Sequence, residues 1–360
     1  MLLTIIIFIA ILGVLVLTHE WGHFIVARRA GLIVEEFGFG FPPRLFSFKK
    51  GETLYSINLL LLGGFVKILG EDGSGVDNPR SFASKSISVR SLITAAGVAM
   101  NFILGTILLI IGFYIGLPQA IDKENETLAK NIQIQIVLIV PNSPADAAGI
   151  NFGDAVKYLK IGNKIINISE ITILQNTVNK YLGKNIILGI ERAGTLLEFK
   201  IVPRKDPPQG EGALGIALAK TGVVSYPWRQ SLWLGVKSSF IVTWEIIKGF
   251  AGLLKNLVVA GEVPSEISGP VGIAVLTKQA TSLGFTYLLN LVALISFNLA
   301  VLNLVPFPAL DGGRLLFFGI EKIKGSKVNP KIENAVHAIG LFLLLTLVIL
   351  ITYRDILKLR

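Results

Sequence analysis

The stretch Met1–Ala27, MLLTIIIFIAILGVLVLTHEWGHFIVA, contains one charged side chain, Glu20, in an otherwise apolar run. About 20 consecutive apolar residues are enough for a helix that crosses a bilayer. Near its end the run contains His19-Glu20-Trp21-Gly22-His23, which is an H-E-x-x-H signature. The stretch therefore predicts a membrane-spanning helix with a metal-binding motif inside it.

The two histidines of this signature are spaced to bind one metal ion. Residues four apart on an α-helix lie on one face, with Cβ atoms about 5–6 Å apart. Glu20 lies about 100° around the helix from His19, where a carboxylate can reach a zinc-activated water and act as a general base. The alternative is a chance pattern of packed histidines. Because ionisable groups at the centre of a spanning helix cost about 2.5–3.5 kcal/mol on insertion scales, we favour a zinc hydrolase site.

Composition agrees with a membrane enzyme rather than an ordinary soluble protein. Hydrophobic residues make up 52% of the chain and charged residues only 16%. Cysteine is absent from the sequence, so any metal must use nitrogen and oxygen ligands. The net charge of +10 is concentrated in part between the first two apolar runs, which predicts that this segment is cytoplasmic. The basic character therefore requires no nucleic-acid partner.

Hydropathy predicts four membrane spans. They cover Leu2 to Ala27, Leu92 to Leu117, Leu283 to Val305 and Ala335 to Thr352. With basic loops inside, the N-terminus lies outside, whereas the basic residues at the C-terminus disagree with this topology. A cleaved signal peptide is the alternative for the first run, but no basic segment precedes it and Arg28-Arg29 follows it.

Residues 228–260 form an ambiguous apolar segment, because charged residues recur in it at intervals shorter than a bilayer crossing. Lys237, Glu245, Lys248 and Lys255 are tolerated by an amphipathic helix at the membrane interface. A fifth span here would also place Asp311 on the opposite side of the membrane from the histidine pair. We therefore interpret the segment as interfacial.

Catalytic zinc usually takes three protein ligands, so a third must come from elsewhere in the chain. Asp311 follows the third apolar run within Asn303-Leu-Val-Pro-Phe-Pro-Ala-Leu-Asp311-Gly-Gly313, where prolines break the helix and glycines allow close backbone approach. A capping aspartate is the alternative reading of Asp311. His337 competes as a ligand, but it has no paired donor and is more typical of a packed histidine.

These motifs resemble those of the site-2 proteases, a family of intramembrane zinc metalloproteases, and within it the bacterial RseP-like type with one PDZ domain. The resemblance implies His19, His23 and Asp311 as ligands of Zn²⁺ and Glu20 as the catalytic base. It implies Asn298 and Asn303 as contacts to the substrate or transition state, with hydrogen bonding between helices as the alternative. Gly97-Val98-Ala99-Met100-Asn101 is similar to a further motif, Gly-Pro-x-x-Asn, with Val98 in place of the proline. Asn101 either supports the site or forms hydrogen bonds between helices.

Two segments between the first two spans are apolar, β-prone and rich in glycine, namely Val34 to Phe41 and Leu54 to Leu69. They predict a β-hairpin region that reaches toward the membrane. Because unpaired backbone cannot face lipid, its strands must be buried against the helices or line the active-site cavity. One edge of it is expected to pair with an unwound substrate, which makes Gly38 and Gly40 predicted substrate-binding residues. A purely structural hairpin is the alternative.

The soluble stretch from about 129 to 203 resembles a protease-associated PDZ domain, on the segment from Val140 to Asp154 and three strand patterns near 165–168, 186–191 and 197–202. A Gly-Leu-Gly-Phe loop is not evident. The expected fold is an α-helical polytopic membrane protein of about four transmembrane helices, with a membrane-associated β-hairpin region and one inserted α+β PDZ-like domain. The expected divisions are 1–117, 118–210, 211–281 (strand and interfacial helices) and 282–360.

The resemblance implies a zinc-dependent endopeptidase that cleaves single-span membrane proteins in or near the transmembrane segment. Its expected place is a bacterial plasma membrane, with the N-terminus and PDZ-like domain outside and the active site toward the cytoplasm. Expected substrates are anti-sigma factors already shortened by an upstream site-1 protease, or signal-peptide remnants. The PDZ-like domain is expected to act as a substrate filter or as a spacer. A metal transporter and an inactive scaffold are the other two classes, and the Glu20–histidine motif favours neither.

Overall fold

A computed structural model describes residues 2–122, 125–260 and 269–358. The helices are α1 Leu2–Arg29, α2 Ile87–Ile115, α3 Pro144–Ala147, α4 Ile171–Lys180, α5 Trp228–Ala260, α6 Pro270–Leu283, α7 Phe285–Leu304, α8 Asp311–Lys324 and α9 Pro330–Lys358. The strands are β1 Val34–Lys50, β2 Thr53–Ile68, β3 Leu117–Ala120, β4 Ala129–Ile139, β5 Ala155–Ile161, β6 Lys164–Asn167, β7 Ile186–Arg192, β8 Thr195–Ile201 and β9 Ile216–Val224. They form two compact units: Met1–Leu109 with Leu234–Lys278 and Leu291–Arg360, and Ile110–Trp233 with Gln279–Asn290.

Four helices in the described part of the chain are long and apolar enough to cross a bilayer. They are Leu3–Arg29, Ile87–Ile115, Phe285–Leu304 and Pro330–Leu357. The prediction of four apolar spans is confirmed. The second and fourth helices begin earlier than predicted, at Ile87 and Pro330, because their polar first turns continue the helix beyond its apolar part.

Helix α5 has 33 residues and is not among these four helices. Its charged residues include Glu245 and Lys248, which form an ion pair at 2.6 Å on the helix surface. Phe240 packs on Phe102 of α2, with ring centroids 5.3 Å apart. Helix α5 thus contacts the middle of an apolar helix, and its interfacial position stays a prediction.

Strands β1 and β2 form the expected β region between the first two spans. Their pairing is unusual because Glu36–Phe39 has partners on both sides, Leu54–Ile57 and Gly64–Lys67. Gly38 therefore lies in the interior of the sheet rather than at an edge. A Cβ at this position would approach the Phe65 ring to 2.4 Å, so glycine is needed here for packing.

The core of the first unit lies where α1, α2, α8 and the β region meet. Its buried apolar residues are Phe24, Ala27, Leu32, Val34, Ile68, Phe82, Ile93 and Phe318. Arg90 at the start of α2 forms a buried ion pair with Glu321 of α8, at 2.6 Å. Removing one partner of such a pair leaves an uncompensated charge, so the pair constrains α8 against α2. Helix α8 is the element that carries Asp311.

The second unit is built on a seven-stranded sheet in the order β3-β9-β4-β5-β7-β8, with β6 paired to β5. Buried Ile136, Leu159, Leu188 and Ile190 belong to its core, against which α4 packs Leu174. Strands β6, β7 and β8 coincide with the three strand patterns read from the sequence. The expected boundary at residue 210 needs correction, because β9 pairs with β4 inside this sheet and the compact unit continues to Trp233.

Candidate metal centre

His19 and His23 lie on successive turns of α1 and point toward the same place. Their ring centroids are 4.7 Å apart and the rings are nearly perpendicular. The two Nε2 atoms are 3.2 Å apart. The helical spacing of the signature thus produces the pair of neighbouring nitrogen donors that the sequence predicts.

Asp311 at the start of α8 completes a triangle of donor atoms. Its Oδ2 lies 3.1 Å from His19 Nε2 and 3.4 Å from His23 Nε2. Two ligands at 2.0–2.1 Å from one tetrahedral zinc are about 3.3 Å apart, so all three sides of the triangle fit such an ion. Among the described residues, no other group of three histidine or acidic side chains is placed to hold a metal.

The hydrogen bond of the His23 ring also favours a cation in this triangle. His23 Nδ1 lies 2.9 Å from the carbonyl oxygen of Ile93, to which only a protonated Nδ1 can donate. In the neutral ring, Nε2 then carries a lone pair directed at Asp311. The buried Asp311 Oδ2 has no well-formed hydrogen bond within the described chain. Lone pairs that face each other in a buried place are stabilised by a metal ion.

Asn101 of α2 lies beside the His19 ring. Its Nδ2 is 3.5 Å from His19 Nδ1, and its Oδ1 is buried without a partner in the described structure. Exchanging the amide oxygen and nitrogen, which are nearly isosteric, lets the oxygen accept the His19 Nδ1 proton. Ser296 of α7 donates to the Asn101 carbonyl oxygen at 2.7 Å. Helix α2 therefore orients both imidazoles, and α7 supports it.

Glycines allow the helices to approach closely around the donors. A Cβ on Gly97 would lie 2.3 Å from His23 Nε2, and a Cβ on Gly22 would lie 2.4 Å from the carbonyl oxygen of Ala96. Gly64 of β2 faces the proposed base, since a Cβ there would approach Glu20 Cγ to 3.2 Å. A side chain at Gly97 or Gly64 would occupy the space of the site, and one at Gly22 would clash with α2.

The turn between α7 and α8 places Asp311 beside the two histidines. Gly312 and Gly313 pack directly on the backbone of this turn. A Cβ on Gly312 would lie 2.2 Å from the Val305 carbonyl oxygen, and a Cβ on Gly313 would lie 2.4 Å from that of Phe307. The Leu310 amide donates to the Phe307 carbonyl oxygen at 3.1 Å. The two glycines after Asp311 are thus required so that the turn can fold back on α8.

A cavity of about 770 Å³ opens next to the donors. Its lining includes His19, Glu20, His23, Asp311, Asn303, Gly63, Gly64, Glu71, Arg314 and His337. Asn303 therefore faces the cavity, and its contact with a substrate stays a prediction. Asn298 is not part of this lining, and its Nδ2 donates to Leu294 of its own helix at 2.9 Å.

Gly38 and Gly40 also lie outside the cavity lining. The role of Gly40 in the sheet is steric, because it has a φ of +81° and a Cβ would meet the Leu60 carbonyl oxygen at 2.9 Å. Their part in substrate binding stays a prediction. The segment of β2 that contains Gly63 and Gly64 lines the cavity instead.

The sequence profile of Peptidase family M50 matches residues 7–347 of this chain. The chain belongs to peptidase family M50. Zinc metalloprotease RasP of Geobacillus kaustophilus is 31% identical, over 99% of this chain and 98% of the relative. RasP of Oceanobacillus iheyensis is also 31% identical, with 99% of each chain covered. Regulator of sigma-W protease RasP of Bacillus subtilis is 29% identical, again over 99% of each chain.

The family confirms the resemblance to site-2 proteases drawn from the motifs. This M50 peptidase is a zinc metalloprotease of the membrane, and Zn²⁺ is its cofactor. Sequence reasoning missed two charged residues at its cavity, Arg314 and Glu71, which are hydrogen-bonded to each other. Arg314 lies three residues after Asp311 on the same helix face, and this spacing is the signal that could have found it.

Proposed function

We propose that His19, His23 and Asp311 hold the zinc ion and that Glu20 is the general base of an intramembrane endopeptidase. The observation that carries this proposal is the triangle of donor atoms, with sides of 3.1, 3.2 and 3.4 Å. Its two histidines lie on α1, which is apolar enough to span a membrane. A fourth position of a tetrahedral ion would stay open, as a catalytic rather than a structural zinc requires.

The chain's own residues supply the remaining chemistry. Zinc contributes Lewis acidity, which polarises a peptide carbonyl and makes water a better nucleophile near neutral pH. The Glu20 carboxylate takes the proton of the attacking water and passes it to the leaving amine. Asn303 lies on the cavity wall, and its proposed role is to donate a hydrogen bond to the substrate backbone as charge develops.

The proposed substrates are single-span membrane proteins cleaved in or near their transmembrane segment. One proposed class is anti-sigma factors, which the name of a relative, regulator of sigma-W protease, supports. We also propose that a site-1 protease shortens them beforehand. Signal-peptide remnants are the second class. Both present one apolar helix, which must unwind before its peptide bonds are accessible to a base.

The last segment of β2 is the proposed docking edge for the unwound substrate. Gly64–Lys67 pairs with Glu36–Phe39 on one side, and no other described strand pairs with its second side. Gly63, Gly64 and Phe65 line the cavity beside Glu20. An extended peptide added here would run past the base, with backbone hydrogen bonds holding it straight.

We further propose the topology that the basic loops imply. The N-terminus and the second unit lie outside the cytoplasm, and the cleavage site opens toward the cytoplasm of a bacterial plasma membrane. The second unit would be the PDZ-like domain, which filters substrates by size or serves as a spacer. Its antiparallel sheet with the short α3 and α4 supports this assignment.

The decisive experiment compares wild type with Glu20→Gln on a tagged single-span substrate, using purified full-length protein with zinc content measured on both. We expect cleavage by wild type alone and equal zinc in the two proteins. Glu245→Gln, which changes an exposed glutamate of α5, is the matched control and should cleave normally.

The other outcomes contradict parts of the proposal separately. Loss of zinc in Glu20→Gln would make Glu20 a ligand rather than a base. Zinc-loaded wild type that cleaves no single-span substrate would favour a scaffold. Metal uptake into vesicles by a protein without peptidase activity would favour a transporter.

A further inference from the structure

The turn that delivers Asp311 contains a strained residue. Ala309 has a φ of +77°, in the left-handed region where a Cβ crowds the following carbonyl group. Pro306 and Pro308 precede Ala309 in the turn and have no amide proton to donate. A conformation of this kind persists only when its surroundings hold it in place.

His337 of α9 provides such a contact. The Ala309 amide donates to His337 Nδ1 at 2.8 Å, across two segments that are far apart in the chain. The neighbouring turn of α9 also touches the loop, because a Cβ on Gly340 would lie 2.3 Å from Pro308 Cβ. Phe317 of α8 lies against the imidazole, with ring centroids 5.5 Å apart. The ring is thus held between the turn and the helix that follows it.

We propose that His337 is a positioning residue for the metal-binding carboxylate. Its Nδ1 accepts the Ala309 amide proton and holds this residue in the left-handed conformation, which directs Leu310 and Asp311 toward the histidine pair. This inference rests on the proposed zinc site. His337 thereby acts through Ala309 rather than as the third ligand, and it is more than a packed histidine.

The orientation of the ring supports this role. An Nδ1 that accepts a proton leaves the hydrogen of a neutral imidazole on Nε2. His337 Nε2 is buried and has no hydrogen-bond partner in the described residues. Within the part of the chain that the structure describes, the one hydrogen bond that the ring makes is therefore that to the Ala309 amide. A substitution that preserves an acceptor at the Nδ1 position should preserve the function.

The test measures zinc content and the rate of zinc release to a chelator, on full-length protein in detergent. His337→Ala should release zinc about 10-fold faster or more, as for other losses of support behind a ligand. His337→Asn should release zinc at close to the wild-type rate, because its Oδ1 can replace Nδ1 as acceptor. Ile339→Ala, which changes an exposed side chain of α9, is the control for helix substitution.

A second variant tests the strain directly. Glycine adopts a positive φ without a steric cost, so Ala309→Gly should slow zinc release in the His337→Ala background. Ala309→Gly alone should behave as wild type. This pair keeps the test valid if His337→Ala by itself folds poorly.

Asp311→Ala serves as the reference that separates the two proposals. If it loses zinc while His337→Ala releases zinc at the wild-type rate, the positioning role is overturned and the zinc site stands. If Asp311→Ala retains zinc, the zinc site itself is wrong. Equal fast release from His337→Ala and His337→Asn, with no rescue by Ala309→Gly, would also overturn the positioning role.

Discussion

Asp311 in the first unit and Asp154 in the second are both shielded carboxylates, but their partners differ. Asp154 is 1% exposed, and Arg192 donates to both of its oxygens at 2.7 Å. The Asn151 amide adds a further bond to Oδ2 at 2.8 Å. Asp311 instead presents Oδ2 to two imidazole nitrogens, with no well-formed hydrogen bond in the described chain.

The difference separates a structural carboxylate from the carboxylate that we propose as a metal ligand. Asp154 has a permanent cation and a backbone donor, so its charge is compensated by the protein alone. The charge of Asp311 faces two imidazole nitrogens, where a bound metal ion would compensate it. The same residue type thus stabilises a fold in one unit and is available for chemistry in the other.

The largest effect should come from Asp311→Asn, which removes the ligand charge but keeps the shape of the side chain. We expect zinc affinity to fall more than about 100-fold and cleavage to be lost with it, because even residues behind a ligand contribute 10- to 100-fold. Zinc content after dialysis and cleavage of a single-span substrate would be measured. Retention of zinc at the wild-type level would show that Asp311 is not a metal ligand and does not differ from Asp154 in this respect.

A methyl group placed between the histidines should have the next largest effect. Gly97→Ala would place a Cβ 2.3 Å from His23 Nε2, and overpacking of this kind costs about 1–3 kcal/mol. We expect zinc affinity to fall about 10- to 100-fold. Gly249→Ala is the matched control, since a Cβ at this helical position in α5 meets only open space. Equal zinc binding by the two variants would argue against a tight fit at Gly97.

A smaller effect is expected when the support behind His19 is removed. Asn101→Ala removes the amide that lies 3.5 Å from His19 Nδ1, and losses of support behind a metal ligand cost about 10-fold or more in metal affinity. Release of zinc to a chelator would be compared with that of Ser296→Ala, which removes only the bond to the Asn101 backbone. The same release rate in Asn101→Ala as in wild type would assign Asn101 to helix packing alone.

Asp154→Asn should leave the metal site unchanged and destabilise the second unit. Hydrogen bonds to charged groups contribute about 1.5–3 kcal/mol, and this substitution weakens those to Arg192. Thermal unfolding of the purified protein should therefore begin at a lower temperature, with the zinc content unaltered. Loss of zinc from this variant would contradict the separation between the two carboxylates.

Much of the architecture could be predicted because its signals are local. Apolar length defined the four spanning helices, and the H-E-x-x-H spacing defined the histidine pair. The strand patterns near residues 165, 186 and 197 also reappear as β6, β7 and β8. Each of these signals depends on neighbouring residues, which a sequence presents directly.

The remaining features depend on contacts between distant segments. The glycine-rich segment around Gly38 was expected to offer an edge for a substrate strand. Its backbone instead pairs with β2 on both sides, because the register of β1 and β2 is set in three dimensions. The position of β9 inside the sheet of the second unit also depends on pairing with β4, which no local pattern contains. Gly64 and Gly97 leave space for Glu20 and for His23, which belong to another element of the fold.

The sequence by itself determined the membrane setting, the zinc chemistry and the candidates for ligands and base. It did so because bilayer length and metal-ligand spacing are properties of short segments. Only the tertiary structure decided that Asp311 meets the histidines, that Asn303 faces the cavity while Asn298 does not, and that His337 contacts Ala309. These are relations between atoms on separate elements, whose distances are fixed by packing rather than by the order of residues.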